Sequence, residues 1–298
     1  MSSTLLQLLF TLEMSLLFAI VTIGVYLAFR VMKFPDLTSE GGFGFSAMVG
    51  GMVLLQSGSP WLGLGAGILA GVFTGMVTAF LANRVGLPTI LAAILTMTMC
   101  FSAGLLIAGK PSETLPGQWV LKDILFFIDS NLWIGLWGLG FVLIALIVTV
   151  HVFLQTGYGY ILRMRGENPH LCGELRHSLL LWDMIGLGLA NGMVGMAAVL
   201  LSQRSGYASI NMGRGVAISA IAAIMLSEAL FPTKCLYLSL CACFAGTLIL
   251  QLIRLLALNF GIPDGGLDLV TSMIVIGFCW FANFKKSGQP SILEQIRM

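Results

Sequence analysis

The residues able to do chemistry in this 298-residue chain are few. His151, His170 and His177 have no acidic neighbours at a spacing that would complete a metal site. The six cysteines, at 100, 172, 235, 241, 243 and 279, form no C-x-x-C pair and read as small buried hydrophobes. Gly104-Leu105-Leu106-Ile107-Ala108-Gly109-Lys110 imitates a phosphate-binding loop up to its lysine. Pro111 follows instead of Ser or Thr, so the hydroxyl that would hold magnesium is missing. The run is also an apolar helix end rather than a strand-to-helix loop. The sequence therefore gives no catalytic residues, no metal ligands and no nucleotide hydrolysis: the chain is not read as an enzyme.

Polar residues do concentrate in three segments. The first is Phe34-Pro35-Asp36-Leu37-Thr38-Ser39-Glu40-Gly41-Gly42. Pro35 disfavours helix at Phe34, and Thr38 or Ser39 is expected to cap the helix that follows. The second runs from Gln203 to Gly215 and contains Gly206, Asn211, Gly213 and Arg214. The third, Leu162–Leu175, carries Arg163, Arg165, Glu167 and Glu174. There Asn168 can be an N-cap and Pro169 the first residue of a short helix, with Leu171 and Leu175 on one face.

The elements that carry these segments follow from composition. Hydrophobic residues make up 58% and charged residues 9% of the chain, and mean hydropathy is +0.97. Soluble domains have about 25% charged residues. The chain is thus an all-α polytopic membrane protein, and a net charge of +2 implies no nucleic-acid partner. A span needs about 20 apolar residues. Nine candidates result: 12–31, 41–56, 61–82, 88–108, 132–154, 179–202, 215–230, 235–258 and 267–284. The second and seventh are short, and each follows a glycine-rich polar break.

The first apolar run follows Glu13 and lacks a small-residue cleavage site, so it reads as a retained span rather than a cleaved signal. With alternating spans and the N-terminus outside, Arg30, Lys33, Arg84, Arg163, Arg165, Arg176, Lys234, Lys285, Lys286 and Arg297 fall inside. Lys110, Lys122, Arg204 and Arg214 fall in outside loops. This bias favours the N-terminus outside and the C-terminus cytoplasmic.

Two string pairs hint at duplication. Gly42–Ala47 resembles Gly215–Ala220, and Val85–Pro88 resembles Phe260–Pro263, at offsets of 173 and 175 residues. One domain, 1–298, would then hold repeat-like halves, 12–108 and 179–284, of opposite orientation around the linking span 132–154. Inverted repeats place a pathway at their interface. Gly63, Gly67, Gly71 and Gly75 line one face of the third span, and Gly188 and Gly192 one face of the sixth, for close helix approach. Glu228, Arg254 and Asp183 lie near span ends, where they can reach an interface. No span carries a row of acids suited to a proton-driven pump. An ion-coupled secondary carrier and a non-transporting scaffold remain as alternatives at this point.

Phe29-Arg30 through Phe34-Pro35-Asp36-Leu37-Thr38-Ser39-Glu40-Gly41, then Gly86-Leu87-Pro88, then Leu162-Arg163 through Gly166-Glu167-Asn168-Pro169, resemble the permease subunits of bacterial ABC importers. The similarity covers roughly residues 15–285. The group is that of the branched-chain amino-acid and ribose-type permeases, and the chain is most similar to the poorly characterised branch paired with tryptophan/tyrosine-type binding proteins. Met164 and Arg176 depart from the usual loop, which has small residues there.

The resemblance implies a homodimeric inner-membrane importer of a small solute, possibly an amino acid. Cytoplasmic ABC ATPase subunits, which hold ATP and magnesium, would dock on the inside loop. A substrate-binding protein would deliver solute outside. Arg163, Arg165, Gly166, Glu167, Asn168, Pro169, Leu171, Gly173 and Glu174 are the expected coupling residues. Pro35, Asp36, Thr38, Ser39, Glu40, Gly42, Ser46, Asn211, Arg214, Gly215 and Ser219 are expected to flank the translocation route. Tryptophan at Gly42 or Gly215 is expected to block transport without disturbing assembly.

Overall fold

In the computed structural model the described residues are 3–116, 120, 131–174, 178–231, 235–261, 266–267, 269–273 and 276–277. Ten α-helices are found among them. These are α1 Ser3–Tyr26, α2 Thr38–Ser57, α3 Pro60–Asn83, α4 Thr89–Ala108, α5 Asn131–Gln155, α6 Gly157–Glu167, α7 Pro169–Glu174, α8 Leu179–Ser205, α9 Val216–Leu230 and α10 Leu236–Asn259. A π-helical turn, Leu27–Val31, prolongs α1, and a 3-10 turn, Ile210–Gly213, precedes α9. Two short strands, β1 Ser112–Thr114 and β2 Tyr207–Ser209, pair antiparallel.

Seven helical stretches are long and apolar enough to cross a bilayer: Leu5–Val31, Pro60–Asn83, Thr89–Ala108, Gly135–Gln155, Leu179–Ser205, Ile210–Leu230 and Leu236–Asn259. Two of the nine expected spans are not among them. The region 41–56 is helical as part of α2, but Ser39, Glu40 and three glycines in the first half of that helix make it less apolar than the others. The region 267–284 lies largely outside the described residues.

α8 is the central post. Buried positions occur along its whole length, from Asp183 to Gln203, whereas α3, α4 and α5 bury one face each. Their other faces carry large exposed apolar side chains such as Leu69, Phe73, Leu106, Phe141 and Ile144. In water so much exposed hydrocarbon would drive association; in a bilayer it meets lipid.

The glycine stripe of α3 behaves as its spacing predicts. A Cβ on Gly71 would overlap the Asn191 carbonyl oxygen, and one on Gly75 the Leu187 carbonyl oxygen. From the opposite side, a Cβ added to Gly192 would come within 2.9 Å of Val72 Cγ2, and one on Gly188 within 3.4 Å of Val72 Cγ1. The two backbones are thus in direct contact, the approach that small residues permit between membrane helices.

Charged contacts define two ends. Arg30 pairs with Glu228, Lys33 with Glu167 at 2.9 Å, and Arg165 with Asp183, all at one end. At the other, Arg204 pairs with Glu13, whose carboxylate is fully buried, with one bond of 3.0 Å. Gln203 there accepts from Val120 N at 3.2 Å and donates to Pro60 O at 2.9 Å. Glu228 thus sits at a helix end as expected. Asp183 also lies near a helix end, but it is wholly buried and ion-paired rather than reaching outward.

Candidate functional site: two polar breaks that meet

The chain turns sharply after the π-helical turn. Phe34 N donates to Ala28 O at 2.9 Å, folding the next residues back along α1. Lys33 adopts a positive φ of 51° to make this reversal. The break therefore climbs back into the bundle, and Asp36 lands beside α8. Its Oδ1 accepts from Thr38 N at 2.8 Å, which caps α2. Its Oδ2 accepts from Asn191 Nδ2 at 2.7 Å. The expected caps, Thr38 and Ser39, are instead the first helical residues. Thr38 is fully buried, with its hydroxyl 2.7 Å from that of Thr78 on α3.

The second break arrives from the opposite end. Ser209 Oγ donates to Pro111 O at 3.0 Å, and Ile210 N donates to the same oxygen at 3.1 Å. With the β1–β2 pair, these bonds strap the start of the 3-10 turn onto the segment that follows α4. A Cβ on Gly213 would overlap Glu40 O, and one on Gly44 would overlap Ile210 O. So 40–44 and 210–213, far apart in sequence, are packed backbone to backbone.

The expected pathway residues divide between burial and exposure. Asp36, Thr38, Ser39, Gly42, Ser46 and Ser219 are buried, Pro35, Glu40 and Gly215 half-buried, and Asn211 and Arg214 exposed. Ser219 Oγ donates to Gly215 O and accepts from Arg254 Nη2, both at 2.7 Å. Ser39 Oγ, Ser46 Oγ and Asn191 Oδ1 are buried without a hydrogen-bond partner among the described residues. Buried polar atoms normally find partners, and leaving each of these without one in an apolar bundle is costly.

Tryptophan at Gly42 or Gly215 no longer isolates a transport effect. Gly42 is boxed in by Thr74 Oγ1, 3.1 Å from a built Cβ, and Gly215 holds a φ of +70°. Both substitutions would disturb packing as well as any route.

The 155–178 region contains more helix than its sequence suggests. Gly157–Glu167 forms α6, capped by Thr156 Oγ1, which accepts from Gly159 N at 3.4 Å. Its turn to α7 comes at Asn168, and Pro169 begins α7 as expected. Arg163 Nη2 donates to Leu154 O at 2.6 Å and the guanidinium stands 5.2 Å from the Tyr160 ring.

Arg165 and Gly166 were expected on a docking surface, but they face into the chain. Gly166 is packed on the Val31 carbonyl, where a Cβ would overlap it. Glu167, Asn168, Pro169 and Glu174 are exposed. Cys172 is buried, as the reading of the cysteines as small buried hydrophobes expects, and burial pushes its thiol pKa up. The side chains of Leu171 and Gly173, and all of Arg176, lie outside what is described.

Asn191, Thr78 and Asn83 escaped the sequence reading. Asn191 had a signal, a lone amide in the middle of an apolar span. The threonines and Asn83 are too common in membrane helices to stand out.

Residues 7–281 match the family model described as "Branched-chain amino acid transport system / permease component". The chain belongs to this permease family. Its members are transport components rather than catalysts, so the chain is a multi-pass membrane permease of a branched-chain amino-acid-type transport system. Two curated relatives are similar over nearly their whole length. One is a tyrosine transport system permease protein of Clostridioides difficile (strain R20291), 28% identical over 278 residues, covering 92% of this chain and 90% of the relative. The other is an uncharacterized protein of Rickettsia prowazekii (strain Madrid E), RP368, 29% identical over 270 residues, covering 89% and 93%. No solved structure matches the chain.

Proposed function

We propose that this permease is the membrane subunit of an ATP-binding-cassette importer for a small solute of the amino-acid class, working as a homodimer in a bacterial inner membrane. Cytoplasmic ATPase subunits supply ATP hydrolysis with magnesium, and an extracytoplasmic binding protein delivers solute. Tyrosine is the first solute to test, because a relative of nearly equal length is named for it. The observation that carries the reading is the family match over 7–281. The exposed α6–α7 hairpin, at the same end as Arg30 and Glu228, supplies a surface for the ATPase.

The solute route runs where the two breaks meet. Three unpartnered buried polar atoms there, on Ser39, Ser46 and Asn191, support this reading, because they gain partners once solute or water reaches them. The element order supports inverted halves: a long helix, a polar break and a shorter helix occur as α1–α2 and again as α8–α9.

Two outcomes are expected. With the N-terminus outside, a single cysteine at Glu174 in a cysteine-free background reacts with an impermeant thiol reagent in inside-out vesicles and stays unreacted in intact cells. Labelling in intact cells reverses the orientation. The second concerns docking. An apolar anchor at an interface centre costs about 2 kcal/mol or more on truncation, an exposed rim charge about 1 kcal/mol or less. Leu171→Asp should therefore strip a co-purifying ATPase subunit from the chain and abolish tyrosine uptake, while Glu174→Ala leaves both largely intact. If Leu171→Asp retains both, α7 is a connector and docking lies elsewhere. If the wild-type chain yields no ATPase subunit, the importer reading falls.

A further inference from the structure

We infer that Asp183 is a positioning residue that joins the α6–α7 hairpin to the membrane core, so that hairpin movement and the polar breaks act as one mechanical unit. The inference rests on the coupling role proposed for the hairpin and adds the route by which motion leaves it. Asp183 is fully buried near the start of α8. It takes Arg165 Nη2 from α6 at 2.6 Å and Asn83 Nδ2 from the end of α3 at 2.8 Å. Arg165 extends the joint to the first break: its Nη1 donates to Met32 O at 3.3 Å, and its guanidinium lies 5.7 Å from the Phe34 ring centre.

Close packing makes the joint stiff. Gly166 rests on the Val31 and Met32 backbone, and Gly186, on α8, is packed against the Met32 thioether. Three pieces of chain thus meet at one carboxylate, α6, the end of α3 and the start of α8, and Arg165 ties the reversal after α1 to them. Only two residues beyond Phe34 stands Asp36, bonded to Asn191 further along α8. A displacement of α6 accordingly pulls on the lower end of α8 and on the Met32–Asp36 break together. A buried ion pair is a poor source of net stability. Its geometry instead fixes one orientation of Arg165, which a neutral contact of the same volume would not.

The test uses the complex of chain and co-purifying ATPase, reconstituted in vesicles with tyrosine and the binding protein. Asp183→Asn keeps the shape and the Asn83 contact region but removes the charge. ATPase association and basal ATP hydrolysis should stay within about twofold of wild type, while solute moved per ATP hydrolysed falls at least tenfold. Asn83→Ala, which loosens only the α3 leg, should show the same split more weakly, and it carries the test if Asp183→Asn does not fold. Uptake and hydrolysis falling in proportion, or uptake per ATP unchanged in both variants, would overturn the inference. Failure of the wild-type chain to bring down an ATPase would instead overturn the importer reading, so the two failures are separable.

Discussion

Gly75→Leu should abolish uptake and leave no monodisperse protein, whereas Gly65→Leu on the same helix should be silent. A Cβ at Gly75 would overlap the Leu187 carbonyl oxygen and approach Gly188 N to 2.9 Å. Both are backbone atoms of α8, which cannot rotate aside as a side chain would. At Gly65 nothing lies within 4 Å of the added Cβ, and the position is exposed toward lipid. Overpacking a fitted core costs about 1–3 kcal/mol and sometimes more. Here the whole α3–α8 contact must separate, because Gly71 meets the Asn191 carbonyl in the same way. A loss above about 3 kcal/mol is a large part of the roughly 5–15 kcal/mol that hold a protein folded. Size-exclusion profiles after graded heating in detergent decide the matter. A Gly75→Leu profile that matches wild type would show that the helices do not approach as described.

Asp36→Ala should be nearly as damaging, and Asp36→Asn much less so. Alanine removes the acceptor that caps α2 through Thr38 N, a loss of about 1 kcal/mol. It also takes the carboxylate partner from the buried Asn191 Nδ2, which keeps only its bond to Leu187 O at 3.1 Å, a loss of about 1 kcal/mol or more. Asparagine keeps an oxygen for the Thr38 amide and restores most of the cap. The expected order of thermal stability is wild type, then Asp36→Asn, then Asp36→Ala, with tyrosine uptake lost in the alanine variant. Equal stability of the two variants would mean that the cap and the Asn191 bond contribute little. The pairing matters for transport as well as stability, since it ties the first break to the middle of α8.

Much of this architecture is written in local sequence. Hydropathy alone marks the long spans, because a bilayer core demands a continuous apolar run with every backbone group bonded internally. Pro169 after Asn168 marks the start of α7, since proline at the first helical position gives up an amide that has no helical partner anyway. The spacing of Gly63, Gly67, Gly71 and Gly75 announces a face made for close approach, though not which helix it meets.

The partners are what the sequence could not supply. Asp36 reads as a loop acid, yet its second ligand is Asn191, 155 positions away. Arg165 reads as one basic residue among several in an exposed loop, yet Asp183 and Met32 draw it inward. Helix α6 itself was missed. Its residues are polar and glycine-rich, so the apolar period is missing, while Gly159 and Gly166 pack closely against Leu154 and Val31. Hydrophobic patterning determined which segments enter the membrane. The tertiary structure decided which polar groups meet inside it, because a hydrogen bond there is chosen by the one neighbour that packing brings within about 3 Å, and not by distance along the chain.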